Sequence, residues 1–249
     1  MKGVKLRYRD GPLVLKGVDL VVRPHEKVGI VGRTGAGKSS LMIALFRITE
    51  PCDGSIFIDD INIATLGLRD VRKALCIIPQ DPVLFSASVR FNLDPFNESS
   101  DEAIWSVLEQ SGLKKTVSEM DGGLEAMVEE GGANFSIGER QLICMARALL
   151  RKPKILIMDE ATASMDNETD SFLQEMIRKQ FAHCSRLTVA HRLNTIMDSD
   201  RICVMEHGRV VEYDTPQALL SNPSGVFRGM VEATQDTNLL KYIPQCHVC

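Results

Sequence analysis

Apolar runs of strand length alternate along the chain with segments whose apolar residues recur at helical spacing. Residues 26–31 have the pattern of a buried strand, and residues 39–48 follow with the periodicity of a helix. This alternation predicts an α/β fold with a mainly parallel sheet. The strand-like segments are 4–9, 13–22, 55–63, 75–79, 154–158, 186–190, 201–205 and 210–213. The first three are closely spaced, which predicts an antiparallel β layer beside the parallel sheet.

The stretch from about residue 86 to 150 has a helical pattern and predicts a helical subdomain inserted between two parts of the sheet. Ser99 and Glu102 have the spacing of a capping box and predict a helix start in this region. After residue 235 the periodic pattern fades. We therefore expect one domain over residues 1–235 and a disordered tail over residues 236–249.

The composition is that of an ordinary globular protein, with 249 residues of which 44% are hydrophobic and 25% charged. The formal net charge of −4, without a basic block interleaved with aromatic residues, argues against a nucleic-acid partner. The sequence contains no apolar stretch near the ~18 residues of a membrane span, and no signal peptide opens it. We therefore expect the chain in the cytosol unless a partner brings it to a membrane.

The seven cysteines are an odd number and stand mostly in apolar segments, which favours reduced, packed thiols. Cys246 and Cys249 have C-x-x-C spacing with His247 between them. A metal site and a prenylation signal are the alternatives to a plain tail. A prenylation signal, however, needs an aliphatic residue where His247 stands.

The segment that joins the strand at 26–31 to the helix at 39–48 fits the pattern G-x-x-x-x-G-K-[ST] at every fixed position. Its glycines let several backbone N–H groups point inward as an anion nest. Lys38 supplies a positive charge for the β- and γ-phosphates, and Ser39 offers a hydroxyl to Mg²⁺. The predicted phosphate-binding residues are Gly32, Arg33, Thr34, Gly35, Ala36, Gly37, Lys38, Ser39 and Ser40.

A second chemical signal is the apolar run 155–158, which is followed by Asp159 and Glu160. The run predicts a central strand, and Asp159 would emerge at its carboxyl end, where α/β ligands bind and a carboxylate suits Mg²⁺. Glu160 is placed to orient and polarise an attacking water. The alternative is a strand that merely ends in a solvated acidic turn.

Residues 134–142 read Asn-Phe-Ser-Ile-Gly-Glu-Arg-Gln-Leu. Together with the phosphate loop and the acidic pair, this segment resembles the signature motif of the ATP-binding-cassette (ABC) ATPases. The resemblance extends over residues 1–233. The further matches, in the family's order, are Tyr8 (the aromatic that stacks on adenine), Gln80 (Q-loop), Ser164, Met165 and Asp166 (D-loop) and His191 (switch histidine). Taken singly, each has a plainer reading: sheet packing for Tyr8, a loop amide for Gln80 and a structural histidine for His191.

The resemblance implies a RecA-like P-loop NTPase core with an antiparallel β subdomain and a helical subdomain. It implies ATP and Mg²⁺ as cofactors, and two cassettes packed head to tail around two ATP molecules. The implied catalytic residues are Glu160, His191, Lys38 and Gln80, and the implied Mg²⁺ ligands are Ser39, Gln80 and Asp159. The implied ATP contacts are the phosphate loop, Tyr8, Gln80 and Asp159, with Ser136 and Gly138 reaching the ATP of the opposite cassette.

The signature departs from the family's common Leu-Ser-Gly-Gly-Gln, because Phe135, Ile137 and Glu139 replace three of its five residues. Ser136 and Gly138, which supply a hydroxyl and a close backbone approach to phosphate, are retained. Ser136 and Glu139 also have the spacing of a capping box. We expect the Glu139 carboxylate to fold back onto the backbone N–H of Ser136, which keeps its charge off the γ-phosphate.

The phosphate loop, the signature and residues 159–166 look like the second nucleotide-binding domain of subfamily C exporters, the multidrug-resistance-associated type. Residues Glu130–Gly132 resemble the exporter segment that touches the membrane domain. The resemblance implies two partners: a second cassette, and a transmembrane domain that contacts the Q-loop region and Glu130–Gly132. It places the cassette at the cytoplasmic face of a membrane, attached through a transmembrane domain that this chain does not contain.

Two other functions stay open on the sequence: a regulatory cassette that gates a channel, and a soluble ABC ATPase. The second is expected to show duplicated cassettes, a basic surface or a long coiled coil, and the sequence has none of these. The chain is either a fragment of a longer protein or a subunit that pairs with a separate membrane protein. The transported substrate, the membrane and the identity of the partner cassette are not encoded in these residues.

Overall fold

The structure is a computed structural model, and it describes residues 1–159, 167–190, 192–234 and 236–243. The strands in these ranges are β1 (Lys2–Arg7), β2 (Leu13–Val18), β3 (Lys27–Val31), β4 (Asp53–Ser55), β5 (Phe57–Ile58), β6 (Ile61–Asn62), β7 (Leu75–Ile78), β8 (Ile155–Asp159), β9 (Ser185–Val189), β10 (Arg201–Glu206) and β11 (Arg209–Asp214). The α-helices are α1 (Lys38–Leu45), α2 (Leu68–Lys73), α3 (Val89–Leu93), α4 (Asp101–Gln110), α5 (Lys114–Glu119), α6 (Ile137–Arg151), α7 (Asn167–Gln180), α8 (Pro216–Ser221), α9 (Val226–Thr234) and α10 (Thr237–Leu240).

Contacts between residues divide the chain into two compact units. The first unit runs to Ala74 and resumes at Ser185, and the second runs from Leu75 to Cys184. In the first unit, β1 pairs antiparallel with both β2 and β4, which gives the antiparallel layer that the spacing of the early strands predicts. The segment predicted to be helical, residues 86–150, falls within the second unit.

The parallel strands of the first unit are centred on β3, which pairs parallel with β9 on one side and β10 on the other. β11 closes this group as an antiparallel hairpin with β10. Four of the five residues of β3 are buried, as expected for a strand with neighbours on both edges and packing on both faces. An apolar cluster joins β10 to α9 and includes Ile202, Val204, Phe227 and Val231.

The second unit contains the parallel pair β7 and β8, in which Leu75 is opposite Ile155 and Ile78 is opposite Met158. Its core is one apolar cluster that joins these strands to α6 and to the shorter helices α3, α4 and α5. The buried face of α6 includes Ile143, Met145 and Ala148. α6 therefore forms the central packing element of the second unit.

One of the two predicted capping boxes forms as expected, and the other is displaced by one residue. Ser136 caps α6 and Glu139 returns its side chain to the cap, so that box is confirmed. The box at Ser99 is wrong by one residue: Ser100 caps α4 and accepts a hydrogen bond from the N–H of Ala103 at 3.4 Å. Ser99 is instead held in the preceding turn, where its N–H donates to Asp94 Oδ2 at 2.6 Å.

Four of the cysteines that the structure describes are buried, in agreement with the expectation of packed side chains: Cys76, Cys144, Cys184 and Cys203. Burial raises the pKa of Cys76 to about 11 and that of Cys203 to about 12, so both thiols are protonated at neutral pH. Cys246 and Cys249 lie outside the described residues.

Part of the segment predicted as a tail is folded, because α10 forms one turn and Leu239 is buried against the core of the first unit. The described part of the chain has no helix that is both long and apolar enough to cross a membrane.

Candidate functional site

The predicted phosphate loop connects the buried end of β3 to the first turn of α1. Gly32 follows β3 directly, and a Cβ on this residue would lie 2.3 Å from the carbonyl oxygen of Met205, so only glycine fits. Gly37 caps α1 with a φ of 106°, a conformation that an L side chain rarely adopts. The first turn of α1 has N–H groups without intrahelical acceptors, and the positive end of the helix dipole lies at the same point. The loop is therefore shaped to bind an anion.

Lys38 lies at the start of α1 and is buried, with 7% of its surface exposed. Its ammonium group donates hydrogen bonds to the loop carbonyls of Gly32 at 2.6 Å and Arg33 at 3.4 Å. Ser39 is exposed on the same turn, while Arg33 is exposed in the loop. The loop therefore combines a fixed positive charge with an accessible hydroxyl.

Tyr8 lies just beyond β1 and is linked to the phosphate loop by a side-chain hydrogen bond. Its hydroxyl is 2.9 Å from Ser40 Oγ, and Ser40 is 6% exposed in the first turn of α1. The Tyr8 residue keeps 40% of its surface exposed, so its ring remains available for stacking. This contact joins the predicted base-binding residue to the predicted phosphate-binding helix.

The second unit contains the predicted Q-loop glutamine and the first acid of the acidic pair. Gln80 follows β7 by two residues, and Asp159 is the last residue of β8. Because Ile78 is opposite Met158 in this parallel pair, Gln80 and Asp159 emerge at the same edge of the two strands. An amide oxygen and a carboxylate are oxygen ligands of the kind that Mg²⁺ prefers. The two predicted metal ligands of this unit are thus brought to one edge.

The signature residues lie at the N-terminus of α6. Glu139 Oε2 accepts hydrogen bonds from the backbone N–H of Ser136 at 2.9 Å and from its hydroxyl at 2.8 Å. Ser136 Oγ in turn accepts from the N–H of Glu139 at 3.2 Å. The other carboxylate oxygen of Glu139 accepts from the Thr116 hydroxyl at 3.4 Å. The Glu139 charge is therefore engaged with the cap, as expected from the sequence, while Ser136 stays exposed.

The predicted site residues thus fall into two sets. Tyr8 and the phosphate loop belong to the first unit, and Gln80, Ser136, Gly138 and Asp159 belong to the second. Glu160, His191 and the D-loop residues 164–166 lie outside the described residues.

Two side chains of α6 donate hydrogen bonds to segments elsewhere in the second unit, and the sequence motifs do not predict these contacts. Arg140 Nη1 donates to the carbonyl oxygen of Gly131 at 2.9 Å. Gln141 Nε2 donates to the carbonyl oxygen of Pro79 at 3.1 Å. The contact of Gln141 has one signal in the sequence. Gln141 is polar, but it lies four residues before Met145 and so falls on the apolar face of α6.

A sequence model described as "ABC transporter" matches residues 15–163 of the chain. The chain belongs to the ABC transporter family. It is an ATP-binding ATPase domain, and its relatives are members of subfamily C. "ABC transporter C family member 3" of Dictyostelium discoideum is 55% identical over 234 residues, a match that covers 94% of this chain and 17% of that protein. Human "ATP-binding cassette sub-family C member 4" is 55% identical over 222 residues, covering 89% of this chain and 17% of that protein.

A solved structure supports the same fold. The cassette superposes on "a bacterial Atm1-family ABC exporter with ATP bound" with a TM-score of 0.85 and 32% identity, covering 94% of this chain and 41% of the exporter chain. The prediction of a RecA-like P-loop core with β and helical subdomains is therefore confirmed. The cassette spans less than a fifth of the length of the curated relatives that it matches.

Proposed function

We propose that this cassette is the ATP-hydrolysing motor of a subfamily C exporter, which couples ATP-driven pairing of two cassettes to transport across a membrane. The observation that carries the proposal is the phosphate loop, in which a buried strand, glycines that admit no side chain and the start of α1 create an anion site. The family assignment makes ATP the anion.

We assign Mg²⁺ to the hydroxyl of Ser39, the amide oxygen of Gln80 and the carboxylate of Asp159. The assignment is supported by the chemistry of the three donors, which are all oxygen atoms, and by the shared edge of Gln80 and Asp159. When bound, the ion would neutralise charge on the phosphates. Lys38, whose charge lies over the loop, would add to that neutralisation.

Hydrolysis needs a group that orients and polarises the attacking water, and we assign this role to Glu160. The assignment rests on its place directly after Asp159, the last residue of β8. We assign His191 as the switch histidine on its place in the family's pattern, after β9. Both roles are expectations from the sequence, and the Glu160→Gln variant tests the role of Glu160.

We propose head-to-tail pairing with a second cassette, in which Ser136 and Gly138 reach the ATP that the partner holds. The pairing is supported by the N-terminus of α6, a 15-residue helix whose first turn is exposed at Ser136 and Ile137. A helix N-terminus favours a phosphate, and the Glu139 charge is already engaged with the cap. ATP would then join the two cassettes, and loss of the γ-phosphate would release them.

The membrane-domain partner is supported by an exposed apolar patch that follows Gln80. Val83 is 61% exposed, Phe85 57%, Phe91 44% and Met127 63%. A cluster of large exposed apolar side chains is typical of an interaction site. We therefore propose that loops of a transmembrane domain contact this patch and the turn at Glu130–Gly132. Such a partner would place the cassette at the cytoplasmic face of a membrane.

The patch is held by side-chain hydrogen bonds. Asn92 is 2% exposed, and its side chain exchanges hydrogen bonds with the backbone N–H and carbonyl of Phe85 at 2.8 and 2.9 Å. Arg147 of α6 donates to the carbonyls of Asn92 and Val83, the latter at 2.9 Å. These hydrogen bonds link the patch to α6, the helix that Ser136 caps.

The function is tested by steady-state ATP hydrolysis and ATP binding of the purified chain, with Glu160→Gln as the variant. We expect wild-type turnover to need Mg²⁺ and the variant to lose about 10²–10⁴-fold in rate, the usual contribution of a general base. ATP affinity should stay within about twofold, because Glu160 acts on the water and not on the nucleotide.

The matched control is Glu119→Gln, which removes an exposed carboxylate on α5 whose Oε1 lies 3.9 Å from Lys115 Nζ. It should leave both rate and affinity unchanged. Retention of more than half of the wild-type rate by Glu160→Gln would refute the assigned role of Glu160. Absence of ATP turnover in the wild-type chain with both ATP and Mg²⁺ would refute the proposed motor function.

A further inference from the structure

Gln141 is a buried polar residue on the apolar face of α6, and only 1% of its surface is exposed. Its amide group makes one hydrogen bond among the described residues: Nε2 donates to the carbonyl oxygen of Pro79 at 3.1 Å. Its other polar atom, Oε1, is buried and has no hydrogen-bond partner in the described part of the chain. Within the described ranges, the acceptor oxygen of this amide is thus unused in the core.

A buried acceptor without a partner opposes folding, because the carbonyl oxygen loses its hydrogen bonds to water and gains none in return. Methionine has almost the same shape as glutamine and would fill the same space without that cost. Packing alone therefore does not account for a glutamine at this position. Among the described residues, the contact that distinguishes glutamine from methionine is the hydrogen bond to Pro79.

The residue that follows Pro79 is Gln80, and the two share one planar peptide unit. The carbonyl of Pro79, the N–H of Gln80 and the Cα of Gln80 lie in that plane. A hydrogen bond that holds the carbonyl therefore holds the N–Cα bond of Gln80, and this restricts where the Gln80 side chain can start. The ring of Pro79 restricts its own φ as well, so little freedom remains between β7 and Gln80.

The preceding residue of α6 makes a parallel contact. Arg140 Nη1 donates to Gly131 at 2.9 Å, within the turn Glu130–Gly132. Neighbouring residues of one helix thus hold the segment that carries Gln80 and the segment that precedes the signature. Both anchors lie within five residues of Ser136, at the start of the helix.

We propose that Gln141 is a positioning residue that holds Gln80 in place for its contact with the metal and nucleotide. Through Gln141, the N-terminus of α6 and the Q-loop move as one body. The inference rests on the proposed function, because it takes the role of Gln80 from that proposal.

The experiment compares wild-type chain with Gln141→Met in ATP hydrolysis, ATP binding, Mg²⁺ dependence and thermal unfolding. We expect kcat to fall about tenfold, since a small displacement of a positioned group is costly in rate. The Mg²⁺ concentration for half-maximal rate should rise at least about threefold, while ATP affinity stays within about twofold. The unfolding temperature should be unchanged or higher, because the orphaned acceptor is removed.

A second readout does not depend on turnover. Amide hydrogen exchange in the peptide that contains Gln80 should be faster in Gln141→Met, because the anchor of its peptide plane is lost. The control is Gln110→Met, which replaces an exposed glutamine of α4 whose Nε2 is 3.2 Å from Ser106 Oγ. It should leave rate, Mg²⁺ dependence and exchange near Gln80 unchanged. Gln141→Leu is the second variant if the methionine variant folds poorly.

The proposal would be overturned if the Gln141 variants kept the wild-type kcat, the wild-type Mg²⁺ dependence and the wild-type hydrogen-exchange rate near Gln80. A lower unfolding temperature with unchanged kinetics in the folded protein would also overturn it, because that result describes a purely structural role. A wild-type chain without ATP turnover would refute the proposed function, and faster exchange at Gln80 in the variant would still support the positioning role.

Discussion

The hydrogen bond between Tyr8 and Ser40 predicts that base binding and the phosphate helix are energetically coupled. The two oxygens are 2.9 Å apart, Ser40 is 6% exposed, and Tyr8 keeps 40% of its surface open. Tyr8→Phe removes one oxygen and leaves the ring for stacking. Ser40→Ala removes the other oxygen. Each variant therefore breaks the same contact from one side and frees the ring to rotate.

The magnitude follows from the type of contact. A neutral side-chain hydrogen bond contributes about 0.5–1.5 kcal/mol, which is about 2- to 13-fold in a binding constant. We expect each single variant to weaken ATP binding within this range. The double variant should bind ATP no more weakly than either single variant, because the contact is lost only once.

The assay measures the affinity of all four proteins for ATP and for inorganic tripolyphosphate, which carries no base. If Ser40 acts through Tyr8, tripolyphosphate affinity stays the same in every variant while ATP affinity falls. Tyr242→Phe, which changes a 59% exposed tyrosine elsewhere in the chain, is the control. Equal loss of tripolyphosphate and ATP affinity in Ser40→Ala, or additive losses in the double variant, would refute the reasoning.

The remaining predictions concern two carboxylates. Burial disfavours the charge of Glu26, but hydrogen bonds from Arg201 and from the N–H of Arg23 outweigh it and lower its pKa from the ordinary 4.5. Its stabilisation is therefore complete above pH 4.5 and is lost as the pH falls through the lower folded value. Glu26→Gln should destabilise the chain by about 3 kcal/mol at pH 7, and thermal unfolding should show that difference shrinking below pH 4.5; a constant difference would contradict this account. Glu139→Gln should change ATP-driven pairing little, measured by light scattering, because the carboxylate is engaged with the helix cap; a large gain would show that its charge opposes ATP.

Local patterns predict much of this fold because each is satisfied within a few residues. The strands at residues 27–31 and 155–159 are apolar runs that end at Gly32 and Asp159, and the structure has them within one residue of the predicted bounds. The cap of α6 is a contact between residues three apart, so spacing alone predicts it. The cap of α4 is missed by one residue, because two adjacent serines compete and Asp94 takes the N–H of the first.

The sequence also predicts the chemistry of the phosphate loop, since the loop is one continuous segment. It does not show why residue 32 must be glycine, because a side chain there would clash with Met205, which lies far along the chain on a neighbouring strand. The sequence does not predict the contact of Gln141 for the same reason. Its partner Pro79 lies 62 residues away, and only the packing of α6 against β7 brings the two together.

Sequence patterns alone predicted the family, the main strands and helices, and the residue types expected to bind phosphate and metal. These depend on periodicity, capping and contiguous motifs, which are short-range properties of a polypeptide. The tertiary structure alone decided that Tyr8 contacts Ser40, that Gln80 and Asp159 share an edge, and that Arg140 and Gln141 anchor two segments to one helix. These contacts join residues distant in sequence, and they exist because burial of apolar faces fixes which elements meet and in what register.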